Sequence, residues 1–424
     1  MKATELIKKF ENHEYDNILM DLYIDENLIE YQNQRFINAI NQYINLYGDN
    51  EVELYSGAGR SEIGGNHTDH QHGCVLAASV NLDAIAVVSR REDIIKIVSD
   101  DCDIDEVDIS NLEKNVEEEG TSKSLIKGVV YKLKELGYNI GGFNAFVTSD
   151  VLIGAGLSSS ASFEVLIGTI IDGLYNDMKI DMVTIAKVGQ FAENIYFGKP
   201  CGLMDQCACA VGGLVSIDFD DVTDPVVELV DVDFSKYNHS LCIVDTKGSH
   251  ADLTDEYSAI PIEMKHVASI FNKEFLRDVD ENEFYKNIVK VREWCGDRAT
   301  LRAIHFFNEN NRVEQLVKSL KENKFDQFKN IIQQSGNSSY KFLQNVYANC
   351  DMKNQSVSMG IAMSEVILNT HGVCRVHGGG FAGTIQAFVE NGYVDTYKNE
   401  IEKVFGEGSC HVLKIRKYGG KKIL

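Results

Sequence analysis

The chain has 424 residues, 44% of them hydrophobic, more than one ordinary core takes up and enough to fill two. A formal net charge of −23 sets its surface against nucleic acid and anionic membranes, so neither is expected as a partner. Ten cysteines lie scattered through it, Met1–Phe10 lacks the apolar centre of a secretory leader, and no apolar run reaches the roughly 18 residues that span a bilayer, so a reduced cytoplasmic setting is expected.

In chain order, residues 1–48 read as mostly helical. Val52–Tyr55 reads as a short strand, followed by a glycine-rich turn at Ser56–Gly65. Cys74–Arg91, rich in Val, Ile, Leu and Ala, suits a pair of buried strands. The acidic stretch Asp100–Glu119 reads as a solvated excursion, and Ser124–Gly137 has helical spacing. Phe143, Ala145 and Val147 alternate as in a strand, and a helical run follows from Ala161 to Leu174. Between them lies a loop of glycine and serine, Gly154–Ser162. A second helix covers Met182–Gly198. The acidic stretch Asp218–Asp233 marks the expected domain boundary, drawn at 222/223. Beyond it come strands at Leu241–Asp245, Val373–Val376 and Thr384–Phe388, and helices near 281–293, 311–321 and 355–370. The class is α+β with two domains, 1–222 and 223–424.

Three segments carry chemistry. In Gly154–Ser162, glycines admit close approach of a ligand to the backbone. Free N–H groups at the following helix start then face an anion, and serine hydroxyls add hydrogen bonds. The rival reading is a serine-capped helix after a flexible turn. His377–Gly383 matches GxGxxG from Gly378 to Gly383, but strand follows it, so a dinucleotide site is rejected and a binding or structural turn stays open. Gly57–His70 sets Arg60, Asn66, His67, Asp69 and His70 among glycines, a donor–acceptor mix suited to sugar hydroxyls or to a plain surface loop. His67 and His70 lack a clear third metal ligand, and Cys201, Cys207 and Cys209 fit no common zinc spacing.

Together the segments resemble the GHMP kinase superfamily, and within it the galactokinases. The pattern GRVNLIGEHTDY aligns with Gly59–His70, GxGLSSSAS with Gly154–Ser162, and a GGGFGG-like turn with Gly378–Gly383. Gly198–Gln206 resembles the run that carries the family's catalytic aspartate. The resemblance implies a ribosomal-S5-type N-terminal domain, a ferredoxin-like C-terminal domain and an active site in the cleft between them. It implies phosphoryl transfer from ATP, with Mg2+, to the anomeric hydroxyl of a sugar, galactose first, with Asp205 as base and Arg60 beside it. It assigns ATP to Gly154, Gly156, Leu157, Ser158, Ser159, Ser160, Ala161, Gly379 and Gly380, metal to Ser160 and Glu193, and sugar to Asn66, His67, Asp69, Gly202 and Tyr257.

One departure bears on the sugar. Asn66 stands where the family has glutamate, which removes a charge that would repel a 6-carboxylate, so galacturonate or another galactose-like sugar is the alternative substrate. His70 replaces the family's tyrosine on the same wall. A non-catalytic sugar sensor is a further alternative, although such relatives lose part of the serine loop and Ser160-Ala161 stands here. A monomer is expected, with a dimer open.

Overall fold

Glycines in the segment after Leu54 build a strand, β1 (Glu53–Gly64), rather than the expected turn. Their role is close approach. A Cβ on Gly57 would stand 2.6 Å from the Ser162 carbonyl oxygen, and one on Gly59 would stand 3.3 Å from that of Leu157. The missing side chains let β1 lie directly on the helix Ser159–Tyr175 and the loop before it. Ser162 Oγ seals this contact by donating to the Gly57 carbonyl at 2.8 Å. Gly57→Ala is therefore expected to cost about 1–3 kcal/mol through overpacking, read as a lowered urea midpoint at unchanged slope.

The computed structural model describes residues 1–100, 102–152, 156–248 and 253–424, with backbone alone for 102–105. Cys74–Arg91 is one 18-residue strand, β2, rather than two. One of its edges pairs with β1. Along the other, its first part pairs with β6 (Leu214–Asp218) and its second with β5 (Gly142–Ser149). The remaining strands of this half are β3 (Ile94–Ser99), β4 (Cys102–Asp108) and β7 (Val226–Val230). The main path runs β12-β1-β2-β5-β3-β4, where β12 is Lys421–Lys422, and among the described residues only β3 and β5 pair in parallel. The described part of the acidic stretch thus includes strand β4 rather than being all excursion.

The division at 222/223 separates β7 from β6, its antiparallel partner. The second sheet holds β8 (His239–Asp245), β9 (Gly372–Val376), β10 (Thr384–Glu390) and β11 (Cys410–Leu413) in the order β11-β8-β10-β9. With helices between β8 and β9 and between β10 and β11, this is the β-α-β-β-α-β arrangement of ferredoxin-like units.

The helix Ser159–Tyr175 is apolar on nearly every side and sits in the first core. Val165, Leu166, Ile167, Ile170, Ile171 and Leu174 are buried there, each contributing about 1.5–3 kcal/mol. That burial anchors the loop at its head. Helices Ala3–Glu11, Asp16–Tyr23 and Ile29–Tyr47 cover the sheet through Phe36, Ile40 and Tyr43. Asp83 of β2 ties these layers together. It pairs with Arg35 at 2.7 Å and Arg416 at 2.9 Å, and accepts from Tyr23 and Ser56. Burial would raise its pKa, but the two guanidinium groups outweigh it and hold the carboxylate below its usual range. Among the described residues, no helix is long and apolar enough to cross a membrane.

Candidate active site

The loop, the end of β1 and the short helix Met204–Val211 converge on Asp205. Arg60 Nε donates to Asp205 Oδ1 at 2.7 Å, and Ser158 Oγ donates to Asp205 Oδ2. Arg60 also donates to the Gly156 carbonyl, while its own N–H donates to that of Leu157 at 3.2 Å. The arginine thus fastens loop and carboxylate together. Gly156 and Ser158 both have left-handed backbone, at φ of 68° and 55°, which folds the loop back onto the helix start. Burial works against the charge on Asp205, yet Arg60 and Ser158 prevail and hold its pKa below the usual value. Its side chain is 31% exposed, so the ionised group still faces open space. Ser159, Ser160 and Ala161 form the helix start, with Leu157 buried beneath. Gly154 lies outside the described residues.

Ser160 Oγ lies 3.3 Å from Glu193 Oε1. Glu193 sits on a π-helical turn, Ala192–Phe197, that ends the helix from Met182, a distortion frequent at functional sites. The carboxylate is buried. Gln206 Nε2 donates to its Oε2 at 2.8 Å and to Glu164 Oε2 at 3.0 Å, and Lys199 Nζ donates to its Oε1 at 3.0 Å. A hydroxyl and a carboxylate are hard oxygen donors of the kind Mg2+ accepts alongside phosphate oxygens. Among the described residues no group of three His, Cys, Asp or Glu could hold a metal ion.

On the other side stands the Gly378–Gly380 turn, its carbonyls caught from behind. Asn66 Nδ2 donates to Gly378 O at 2.7 Å, His67 Nε2 to Gly379 O at 3.0 Å, and the Tyr257 hydroxyl to Gly380 O at 2.7 Å. Asn345 Nδ2 adds a bond to Gly379 O at 3.2 Å. Gly202 lets the Asp69 carboxylate come close, since a Cβ there would stand 3.1 Å from Asp69 Oδ2.

Asn66 departs from expectation. It is completely buried and its amide is spent on the protein. Nδ2 donates to Glu62 at 3.2 Å as well as to Gly378, and Oδ1 accepts from Asn345 at 2.8 Å and Ser339 at 3.2 Å. Two donors and two lone pairs are all that a carboxamide has. His67 differs. With Nε2–H given to Gly379, its buried Nδ1 has no hydrogen-bond partner among the described residues.

Sequence reasoning missed the support behind this wall. Glu62 pairs with Arg375 at 2.7 Å, and Glu309 receives Ser335 at 2.6 Å and the Gly65 N–H at 3.2 Å. His377 bridges Ser61 and Thr384, both at 3.0 Å. Glu62 alone carried a signal, because the GRVNLIGEHTDY pattern has asparagine there. The chain thus exchanges the pattern's Asn and Glu between positions 62 and 66.

Buried histidines give this region a pH signature. Burial, aided by His70, lowers His67 to about 4; burial, aided by Arg60 and Arg375, lowers His377 to about 3. Unfolded histidine takes up a proton below roughly pH 6.5, while these folded ones stay neutral well below that. Their stabilisation is complete above about pH 6.5 and shrinks as pH falls toward 4, by about 2 kcal/mol each at pH 5. The urea midpoint at pH 5 should accordingly lie well below that at pH 7, and equal midpoints would contradict the neutral histidines.

Known proteins share this architecture. Residues 124–213 match the GHMP kinases N terminal domain family, and residues 41–90 match the galactokinase galactose-binding signature. Among solved structures, a Lactococcus lactis galactokinase complexed with galactose superposes with a TM-score of 0.75 at 23% identity, covering 90% of this chain and 98% of that one. The Methanococcus jannaschii mevalonate kinase gives a TM-score of 0.62 at 15% identity, covering 86% and 98%. The fold is that of a GHMP kinase. A galactokinase of Actinobacillus pleuropneumoniae is 30% identical over 344 residues, 80% of this chain and 85% of its own length, and one of Clostridium tetani is 26% identical over 388 residues, 90% and 95%. The chain belongs to the galactokinase family and is a sugar kinase.

Proposed function

We propose that the protein is a galactokinase, transferring the γ-phosphoryl group of MgATP to the anomeric hydroxyl of galactose with Asp205 as base. The observation that carries this reading is the Arg60–Asp205–Ser158 junction, where an ionised carboxylate, an arginine and the serine loop meet within hydrogen-bond distance. Asp205 orients the attacking hydroxyl and takes its proton. A carboxylate held below its ordinary pKa is a weak base, so the proton moves late, once bonding to phosphorus has drawn charge from the oxygen. This suits a loose phosphoryl-transfer transition state, in which positioning and charge stabilisation dominate. Arg60 keeps Asp205 ionised and adds positive charge beside the transferring group. The loop from Gly154 to Ala161, with Gly379 and Gly380 opposite, cradles the triphosphate.

Ser160 and Glu193 would hold Mg2+, which neutralises phosphate charge when bound. Asp69, Gly202, Tyr257 and His67 line the sugar pocket. Asn66 positions the glycine turn instead of touching the sugar, and the uronate alternative rests on the missing glutamate charge at that position, which the sugar panel below tests. The same reading includes two domains divided beyond Val230, a monomer, and a cytoplasmic setting, which suits the nine free cysteines among the described residues.

The deciding experiment measures ADP release with MgATP across galactose, galacturonate, galactosamine derivatives and arabinose. Galactose should turn over fastest. Preference for galacturonate would overturn the substrate, and no turnover on any sugar would overturn the kinase reading itself.

A further inference from the structure

We propose that Lys199 is a further catalytic residue, whose ammonium binds the γ-phosphoryl group of the nucleotide and rests on Glu193 when no nucleotide is bound. The proposal builds on the roles given above to Ser160, Glu193 and Asp205.

Backbone geometry fixes where Lys199 can reach. The π-helical turn closes on Gly198, whose left-handed φ of 82° turns the chain back, and the Lys199 N–H donates to the Glu193 carbonyl at 3.1 Å. A Cβ on Gly198 would stand 3.2 Å from the Glu119 carboxylate, so the turn is packed from outside as well. Lys199 is thereby held by the very residue its side chain addresses. Its Nζ lies 3.0 Å from Glu193 Oε1, the oxygen that Ser160 also faces. The other oxygen, Oε2, is committed to Gln206. Lys199 therefore occupies the one carboxylate oxygen that faces the serine loop.

The two partners differ in freedom. The Glu193 side chain is 4% exposed, and that of Lys199 is 63% exposed. The carboxylate is part of the wall, and the ammonium stands on the open side of it. Moving this flexible, solvated lysine leaves the buried carboxylate short of a counter-ion, a cost that Mg2+ held there would offset, and the ammonium acts as a mobile point charge rather than a fixed fork. Lys199 is also close enough to Asp205 for its charge to favour the ionised carboxylate. Arg60, the other cation at the loop, is only 9% exposed and already bound to Asp205 and the Gly156 carbonyl. Lys199 is thus the mobile cation of the two, able to follow phosphate oxygens while Arg60 acts from a fixed place.

The chemistry balances without proton transfer from lysine. The bond from the γ-phosphorus to its bridging oxygen breaks, the bond to the sugar oxygen forms, and the hydroxyl proton passes to Asp205. Lys199 stays protonated and follows the phosphoryl oxygens.

Calorimetry with Mg2+ present should compare AMP-PNP and ADP on the unaltered protein, Lys199→Met and Lys199→Arg. Lys199→Met is expected to lose about tenfold in AMP-PNP affinity and keep its ADP affinity, in line with loss of one charge-assisted contact. Its kcat should fall by a larger factor, with partial recovery in Lys199→Arg. Mn2+ offered alone should bind Lys199→Met more tightly, because the competing ammonium is gone. Unchanged AMP-PNP affinity together with unchanged kcat overturns the proposal. Glu193→Gln and Asp205→Asn separate the two levels. If both lose activity while Lys199→Met keeps it, Lys199 alone is wrongly assigned; if both keep activity, the underlying site reading falls and Lys199 with it.

Discussion

Asp205→Asn should lower kcat by about 10²–10⁴ and leave ATP binding within a few-fold of the unaltered protein. The substitution keeps the shape of the side chain, so it can still meet Ser158 and Arg60. What it removes is the proton acceptor and the negative charge opposite Arg60. Loss of that charge leaves a nearly buried guanidinium short of its counter-ion, which costs stability in the free protein. Bound triphosphate would supply negative charge near the same place, so the thermal shift on adding ATP should grow even as turnover collapses. This pairing separates the base from a merely structural aspartate, whose loss would weaken ATP binding and turnover together. Because the Asp205 carboxyl is held below its ordinary pKa, it is ionised across neutral pH and contributes no acid limb to kcat/KM above about pH 4. Turnover within tenfold of normal in Asp205→Asn would remove Asp205 from the mechanism.

Asn66→Glu carries the second large effect, and stability is where it should appear. The new carboxylate would enter a fully buried position beside Glu62 and against the Gly378 carbonyl, replacing two donated hydrogen bonds with two repulsions. Glu62 is poorly placed to tolerate it, since burial already raises its pKa and Arg375 is its ionic partner. A loss of about 3–5 kcal/mol is expected, as for a buried charge without compensation. The companion change Glu62→Asn removes the repulsion and restores the order of residues in the GRVNLIGEHTDY pattern. The double variant should recover about 1–3 kcal/mol relative to the sum of the single ones. Urea denaturation of the four proteins in the cycle measures the coupling, and strict additivity would mean that the two positions do not share one charge.

That exchange also marks where sequence reading succeeded and where it stopped. Arg60, the serine loop and Asp205 were legible because each lies in a short contiguous motif, and the structure brings the three together. Asn66 was found by the same means but given the wrong surroundings, because its partners Ser339, Asn345 and Gly378 come from far along the chain. Arg375 and Glu309 left no local signal at all, and His377, at the head of a glycine segment that was singled out, gave no hint of its bridge to Ser61. The glycines of β1 misled for a physical reason. Glycine serves both turns and close approach, and only the helix from Ser159, packed against Gly57, tells which use applies. β2, expected as a pair of strands, is one strand whose apolar composition runs on unbroken while its partner changes from β6 to β5 midway.

The pairing of β1 with β12 has a consequence for how the molecule is made. Tyr55 and Ser56 find their edge partners only at Lys422 and Lys421, and Asp83 waits as long for Arg416. Until the chain has been made as far as Lys422, the first sheet stays open along β1 at Tyr55 and Ser56. An unpaired edge invites pairing with other chains. The first half, released by itself, would keep an unpaired edge at β1 and a buried aspartate held by Arg35 without Arg416.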